Sequence, residues 1–248
     1  MAKKIAVVSG KGGTGKSTLC TVLAGVMTGM GKKVLLLDCD SGLGSLDIML
    51  GVQEKVLYNW GDVICGACRC EDAVTEITPF CSLLAAPLSW DDRFTPEAFR
   101  EVLLSYEDSF DYILIDAPAG TGRGFRLAAA NADMALLVAA AETVSIRSCH
   151  AAADRLFEME IPEIYLILNK FDCWETKHGA NLDIDAVIDG AGVQLRGIVP
   201  FSADASQLSM YGRAIPKRSK MFAAVERIMK RLEGEDLPLK ILSKICKT

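Results

Sequence analysis

Histidine is nearly absent from this chain of 248 residues: there are only two, His150 and His178. No second C-x-x-C accompanies Cys65-Gly66-Ala67-Cys68, so the paired ligands of a structural zinc frame are missing. Long apolar runs are missing too, since none approaches the roughly 18 residues that a membrane crossing needs. Any membrane contact is therefore expected to be peripheral. Nor is there an excess of positive charge: 27 Lys and Arg stand against 32 Asp and Glu, a net charge of −5. That balance excludes a globally basic nucleic-acid binder and leaves room only for a local patch. Internal repeats and low-complexity stretches are also lacking. The start, Met1-Ala2-Lys3-Lys4-Ile5, leads into a short apolar run and shows no cleavage-site pattern, which predicts a cytoplasmic chain. Its nine cysteines are then expected reduced, with Cys20, Cys39, Cys81, Cys149 and Cys173 packing as small hydrophobes.

What the chain does have is apolar substance: half of its residues are hydrophobic, enough for a core without disulfides or a structural metal. Short β-branched or Leu-rich runs recur between helical patterns, at Ile5–Val8, Val34–Leu37, Ser82–Ala85, Tyr112–Ile115, Ala135–Ala139, Ile164–Leu168 and Gly197–Val199. This alternation predicts an α/β fold, a mostly parallel doubly wound sheet covered by helices on both faces. Ligand chemistry belongs at the carboxyl ends of such strands. A helix over Ser219–Leu232 is followed by an acidic break containing Gly234 and Pro238, so residues 1–232 read as one domain and 233–248 as a linker and tail.

Gly10-Lys11-Gly12-Gly13-Thr14-Gly15-Lys16-Ser17 satisfies G-x-x-x-x-G-K-[ST] between the first strand and a helical run from Thr18. Its glycines let backbone N–H groups converge on phosphates, and the helix N-terminus adds positive potential. Lys16 reaches the β- and γ-phosphates, and Ser17 supplies a hydroxyl for Mg²⁺. A connector that merely turned the chain would need neither that lysine nor that serine. The second strand ends Leu37-Asp38-Cys39-Asp40, which puts two carboxylates on one side of the sheet edge. One suits the metal's water shell and the other the orientation of an attacking water. Asp116, after the apolar run Tyr112–Ile115, adds a third carboxylate in the Walker B pattern.

Lys11 is superfluous to that motif, and with it the loop resembles the deviant Walker A, or ParA/MinD-type, P-loop ATPases. Asp116-Ala117-Pro118-Ala119-Gly120 continues the resemblance, and Asp40-Ser41-Gly42-Leu43-Gly44-Ser45-Leu46-Asp47 is similar to the switch segment of their MinD/FlhG branch. The resemblance implies ATP and Mg²⁺ as cofactors and a nucleotide-sandwich homodimer in which Lys11 reaches the partner's phosphates. It further implies a γ-phosphate sensor at Gly120, slow hydrolysis with Asp40 orienting water, and Asp38 and Asp116 acting through the metal's shell. Gly44 and Ser45 stand where well-known bacterial members carry an Arg-Asn pair, and Ser148 where an acidic residue follows the helix arginine. These departures leave open whether a MinE-like activator, a MinC-like inhibitor or another polar partner engages the chain.

For the base, Asn169 offers both an amide donor and an acceptor, matching adenine N6 and N7, and Pro200 is placed to lie along the ring edge. Asn169-Lys170-Phe171-Asp172 also approaches a guanine signature, making GTP the rival nucleotide; the resemblance favours ATP. Cys65, Cys68 and Cys70 are spaced tightly enough to raise an iron–sulfur cluster, as in Mrp-type carriers of the same fold. Arg213, Lys217, Arg218 and Lys220 form the one basic run, which would suit DNA in a ParA-type partition ATPase, although no interleaved aromatics support base stacking. In the tail, Leu239, Ile241, Leu242, Ile245 and Cys246 fall within roughly 160° of helical arc at about 100° per residue, with the lysines opposite. That is the pattern of an interfacial helix on an anionic membrane, or of a terminal helix docked on its own domain. The combined expectation is a MinD-like ATPase, cytoplasmic and peripheral on the cell membrane's inner face, that regulates septum placement. An FlhG-like regulator of flagellar number is the neighbouring alternative.

Overall fold

The computed structural model describes residues 1–42, 44–212 and 215–239, the side chains of 209–211 excepted. Leu43 of the switch segment, Arg213 of the basic run and the tail 240–248 lie outside the described residues. The strands are β1 (Lys3–Val8), β2 (Val34–Asp38), β3 (Val74–Thr78), β4 (Cys81–Leu84), β5 (Tyr112–Asp116), β6 (Met134–Ala139), β7 (Glu163–Phe171) and β8 (Leu195–Pro200). The helices are α1 (Lys16–Gly29), α2 (Leu46–Leu50), α3 (Trp60–Ile64), α4 (Cys70–Ala73), α5 (Pro96–Leu104), α6 (Arg123–Ala129), α7 (Thr143–Glu158), α8 (Cys173–Lys177), α9 (Ile184–Ala191), α10 (Ala203–Tyr211) and α11 (Lys220–Leu232). A single turn of 3-10 helix follows α2 at Gln53–Lys55.

The strands form one sheet in the order β3-β4-β2-β5-β1-β6-β7-β8. Every pairing is parallel except β3 with β4. The doubly wound expectation therefore holds, with an antiparallel edge strand that the sequence pattern did not reveal. The missed strand reads Val-Thr-Glu-Ile-Thr, is mostly half-buried or exposed, and packs one face only. It lacks the continuous apolar signature that marks the parallel strands, which are covered twice.

Alternation along the strands divides the interior into two cores. Ile5, Val7, Leu36 and Leu114 face α1 and α11, while Ala6, Leu35, Ile113 and Ile115 face the side of α5, α6 and α7. Helix α1 buries Leu19, Leu23 and Met27, and α11 buries Met221, Val225, Ile228 and Met229, each at the spacing of an amphipathic stripe. Thr95, Asp183 and Ser219 cap α5, α9 and α11 with their side chains, giving those helices defined starts. After α11 the chain does not simply leave the body. Arg231 Nε donates to the Leu237 carbonyl at 2.7 Å, and Arg227 donates to the Pro238 carbonyl at 2.8 Å. The expected linker from residue 233 is thus fastened back onto the helix through at least Pro238.

Among the described residues no helix is long and apolar enough to cross a membrane. Seven cysteines there are free: Cys20, Cys39, Cys65, Cys68, Cys70, Cys81 and Cys149. Cys65, Cys68 and Cys70 flank the turn between α3 and α4. No group of three or more His, Cys, Asp or Glu among the described residues is arranged to hold a metal.

Candidate functional site

β1 lies near the middle of the sheet, and the loop that follows it opens at the carboxyl ends of its neighbours β5 and β6. Gly15 caps α1 in the left-handed region, φ 89°, where a side chain is disfavoured. An added Cβ there would also lie 2.5 Å from Asn169 Nδ2. Gly10 is small for a different reason than phosphate binding: a Cβ at this position would meet the Ser148 carbonyl oxygen of α7 at 1.8 Å. Gly12, Gly13, Gly15, Lys16, Ser17 and Thr18 line a cavity of about 780 Å³, and Asp40, Asn169 and Pro200 also line it. Most of the predicted site residues therefore meet at one opening.

The two carboxylate strands are in register, Asp38 opposite Asp116. Asp38 is almost fully buried. One of its oxygens accepts from the Asp40 N–H at 2.9 Å, and the other from the Ser45 and Leu46 N–H groups at 2.9 and 3.1 Å. Burial raises its pKa against the opposing influence of these hydrogen bonds. Its visible role is to hold residues 40–46 in a closed turn, so a metal would feel it only through intervening groups. The Trp60 indole secures the same corner by donating to the Asp38 carbonyl at 2.8 Å. The Ser17 hydroxyl and the Cys20 thiol lie close enough to Asp116 to act on its charge. Its Oδ1 is buried without a partner. Burial, reinforced by the Asp38 charge, pushes Asp116 up to about 7, against the opposing influence of Ser17 and Lys16. An orphaned carboxylate oxygen behind the Ser17 hydroxyl fits the outer shell of a Mg²⁺ ion. Such an ion keeps most of its waters and takes few protein ligands directly. Asp40 lies on the cavity wall and is the carboxylate best placed toward its interior.

Three expected roles are modified. Lys11 does not project freely from the rim: its Nζ lies 2.7 Å from Glu142 Oε2, at the start of α7. The Gly120 N–H donates to the Ser9 carbonyl at 3.0 Å, so sensing a phosphate would require exchanging that bond. Asn169 is buried and one N–H of its amide donates to the Thr14 carbonyl at 2.8 Å, which adds a loop-holding role and leaves its second N–H and its oxygen for a base. Lys170, at φ 55° where β7 and β8 slip register, donates to the Gly13 carbonyl at 2.7 Å. Asn169 and Lys170 together brace the loop from the far side of the sheet. Asp172, the third part of the guanine-like signature, caps α8 by accepting from the Trp174 and Glu175 N–H groups. Sequence reasoning missed Glu142, whose signal would have been an acid preceding the helix that faces Lys11. It also missed Phe201 on the cavity wall.

The ParA family profile, described as NUBPL iron-transfer P-loop NTPase, matches residues 1–233. The septum site-determining protein MinD of Bacillus subtilis is 31% identical over 98% of this chain and 93% of its own. The MinC:MinD complex of Aquifex aeolicus superposes with a TM-score of 0.88 at 31% identity, covering 97% of this chain and 99% of that one. MinD of Pyrococcus horikoshii, complexed with Mg-ADP, gives 0.82 at 28% identity, covering 94% and 97%. A phosphate loop with a second lysine, a Walker carboxylate behind its serine, and similarity along the whole length leave one assignment: the chain belongs to the ParA/MinD-type P-loop ATPases, which use ATP and Mg²⁺.

Proposed function

We propose that this ATPase is a MinD-like spatial regulator of division-septum placement, which dimerises on ATP and thereby gains hold of the inner membrane surface. The observation that carries the reading is a second lysine, Lys11, in the loop beside the cavity that Gly12, Gly13, Gly15, Lys16 and Ser17 line, in a chain matching the Bacillus subtilis septum protein over 98% of its length. Lys16 and the loop N–H groups hold the nucleotide's phosphates, and Ser17 with Asp116 behind it holds Mg²⁺, which when bound offsets phosphate charge. Asp40 orients the attacking water. Lys11 exchanges Glu142 for the phosphates of a second copy, supplying positive charge in trans as phosphoryl transfer requires. Hydrolysis is slow until the dimer forms and activates it.

Pairing also explains how a short tail could anchor the protein. One amphipathic segment binds a bilayer weakly, and two on one dimer gain from effective concentration. The complex of the Aquifex relative with MinC supports a MinC-like inhibitor as the protein partner. Three measurements test the reading: nucleotide titration, light scattering with and without ATP, and co-sedimentation with phosphatidylglycerol vesicles. Lys16→Ala should lose nucleotide. Lys11→Ala should keep it but lose the dimer and turnover. Deleting residues 240–248, a cut placed after the carbonyls that Arg227 and Arg231 hold, should keep the dimer and lose the vesicles. A Lys11→Ala protein that dimerises and turns over like the parent overturns the trans role; a full chain that ignores vesicles in every nucleotide state overturns the membrane role.

A further inference from the structure

A second cavity, of about 270 Å³, opens between β8 and α11 and is separate from the phosphate loop. Its floor is apolar, from Ile198, Ala224 and Ile228, and its rim carries Lys220, Arg227 and Arg231. No Asp or Glu is among the residues lining it. Arg231 is committed to the Leu237 and Arg196 carbonyls, and burial with the nearby Arg227 and Arg196 charges lowers its pKa from the usual guanidinium value. Lys220 is exposed, and Arg227 is half-buried with one nitrogen on the Pro238 carbonyl. Positive charge is therefore concentrated over an apolar floor without a neutralising carboxylate on the lining. Leu239, the last described residue before the tail, lines the same cavity.

We propose that this groove is a cradle for the phosphate of an anionic phospholipid headgroup, with Lys220 and Arg227 as its contacts and the apolar floor taking the start of the acyl chains. The inference rests on the membrane reading above and extends it from the tail to the folded body. Charge decides the occupant. The tail itself carries Lys240, Lys244 and Lys247, so docking it here would bring like charges together, whereas a phosphodiester complements the rim. Position agrees, because a tail inserted in the interface from residue 240 onward leaves the body at the cavity's edge. The groove would then face the headgroups. Lys217 and Arg218, exposed just before α11, add to the field around it.

The test uses the full chain with a slowly hydrolysed ATP analogue and vesicles of phosphatidylcholine containing 0 to about 40% phosphatidylglycerol. Lys220→Gln/Arg227→Gln is compared with Arg100→Gln/Arg126→Gln, which removes equal charge from exposed positions on α5 and α6, across the sheet. The groove pair should weaken binding to phosphatidylglycerol vesicles at least tenfold and flatten its dependence on anionic lipid, with ATP turnover in solution and the melting temperature unchanged. The control pair should weaken it less than threefold. Lys220→Gln alone, at an exposed position that leaves the Pro238 contact intact, should give at least a threefold loss. Equal loss from both pairs, or parental binding by the groove pair, overturns the cradle while leaving the tail's role standing. Loss of duplex DNA binding in the groove pair with vesicle binding retained overturns it in favour of a nucleic-acid site. If the parent binds no vesicle at any composition, the membrane reading falls and the cradle with it.

Discussion

Replacing Glu142 by Gln removes the charge that holds Lys11 within its own protomer while leaving a side chain of nearly the same shape. The pair is close, 2.7 Å, yet solvent-accessible, with the two side chains 37% and 54% exposed. Exposed ion pairs contribute about 0.2–1 kcal/mol each. A sandwich dimer must break two of them, one per protomer, so their release costs about 0.4–2 kcal/mol of association free energy. At about 1.4 kcal/mol per tenfold, Glu142→Gln should tighten the ATP-driven dimer by about 2- to 30-fold. Sedimentation equilibrium with a slowly hydrolysed analogue reads the change. Raising the salt to about 1 M, where the screening length shrinks to about 3 Å, should bring parent and variant together. Nucleotide affinity of the monomer should not move. An unchanged or weaker dimer at low salt would refute the idea that Glu142 competes with the partner's phosphates for Lys11.

Asp40→Ala should bind ATP, dimerise and stall, with turnover reduced by about 10²–10⁴-fold as expected for loss of a water-orienting base; parental turnover would remove Asp40 from that role. Gly10→Ala forces a methyl group into the Ser148 carbonyl, and overpacking of about 1–3 kcal/mol at about 2–4 °C per kcal/mol should lower the melting temperature by about 2–12 °C. Calorimetry showing no change would mean that α7 yields freely. Asn169→Ala leaves the Thr14 carbonyl without its amide donor; at about 1–3 kcal/mol for a buried group stripped of its partner, nucleotide affinity should fall about 5- to 150-fold. Titration giving parental affinity would show that the brace is dispensable.

The phosphate loop and the two carboxylate strands were legible because their chemistry is local: a motif of eight residues, and apolar runs that end in Asp. The parallel strands were legible for a related reason, since burial on both faces writes an unbroken apolar signature. Strand β3 was not, because a half-exposed edge leaves only a weak pattern. The partners of Lys11 and Asn169 were not legible either. Their hydrogen bonds join residues 131 and 155 positions apart, and no spacing rule reaches that far. Asp38 shows a subtler limit. Its type and position suggested a metal carboxylate, but which hydrogen bonds a carboxylate accepts depends on the turn that closes over it, here the N–H groups of Asp40, Ser45 and Leu46.

Pro200, at the end of β8, lines both the nucleotide cavity and the groove beside α11. At the start of α11, neighbouring residues alternate between the chambers, Lys220 on the groove and Met221 on the nucleotide side. Two ligands separated by one wall are thermodynamically linked whenever either displaces it: the free energy by which an occupant of the first chamber favours a wall position is returned in full to an occupant of the second that favours the same position. The linkage is reciprocal, so a lipid surface that changed nucleotide affinity by some factor would itself be held more or less tightly, by that same factor, according to the nucleotide bound. A sheet edge would thereby serve as the balance beam between two sites that meet at Pro200.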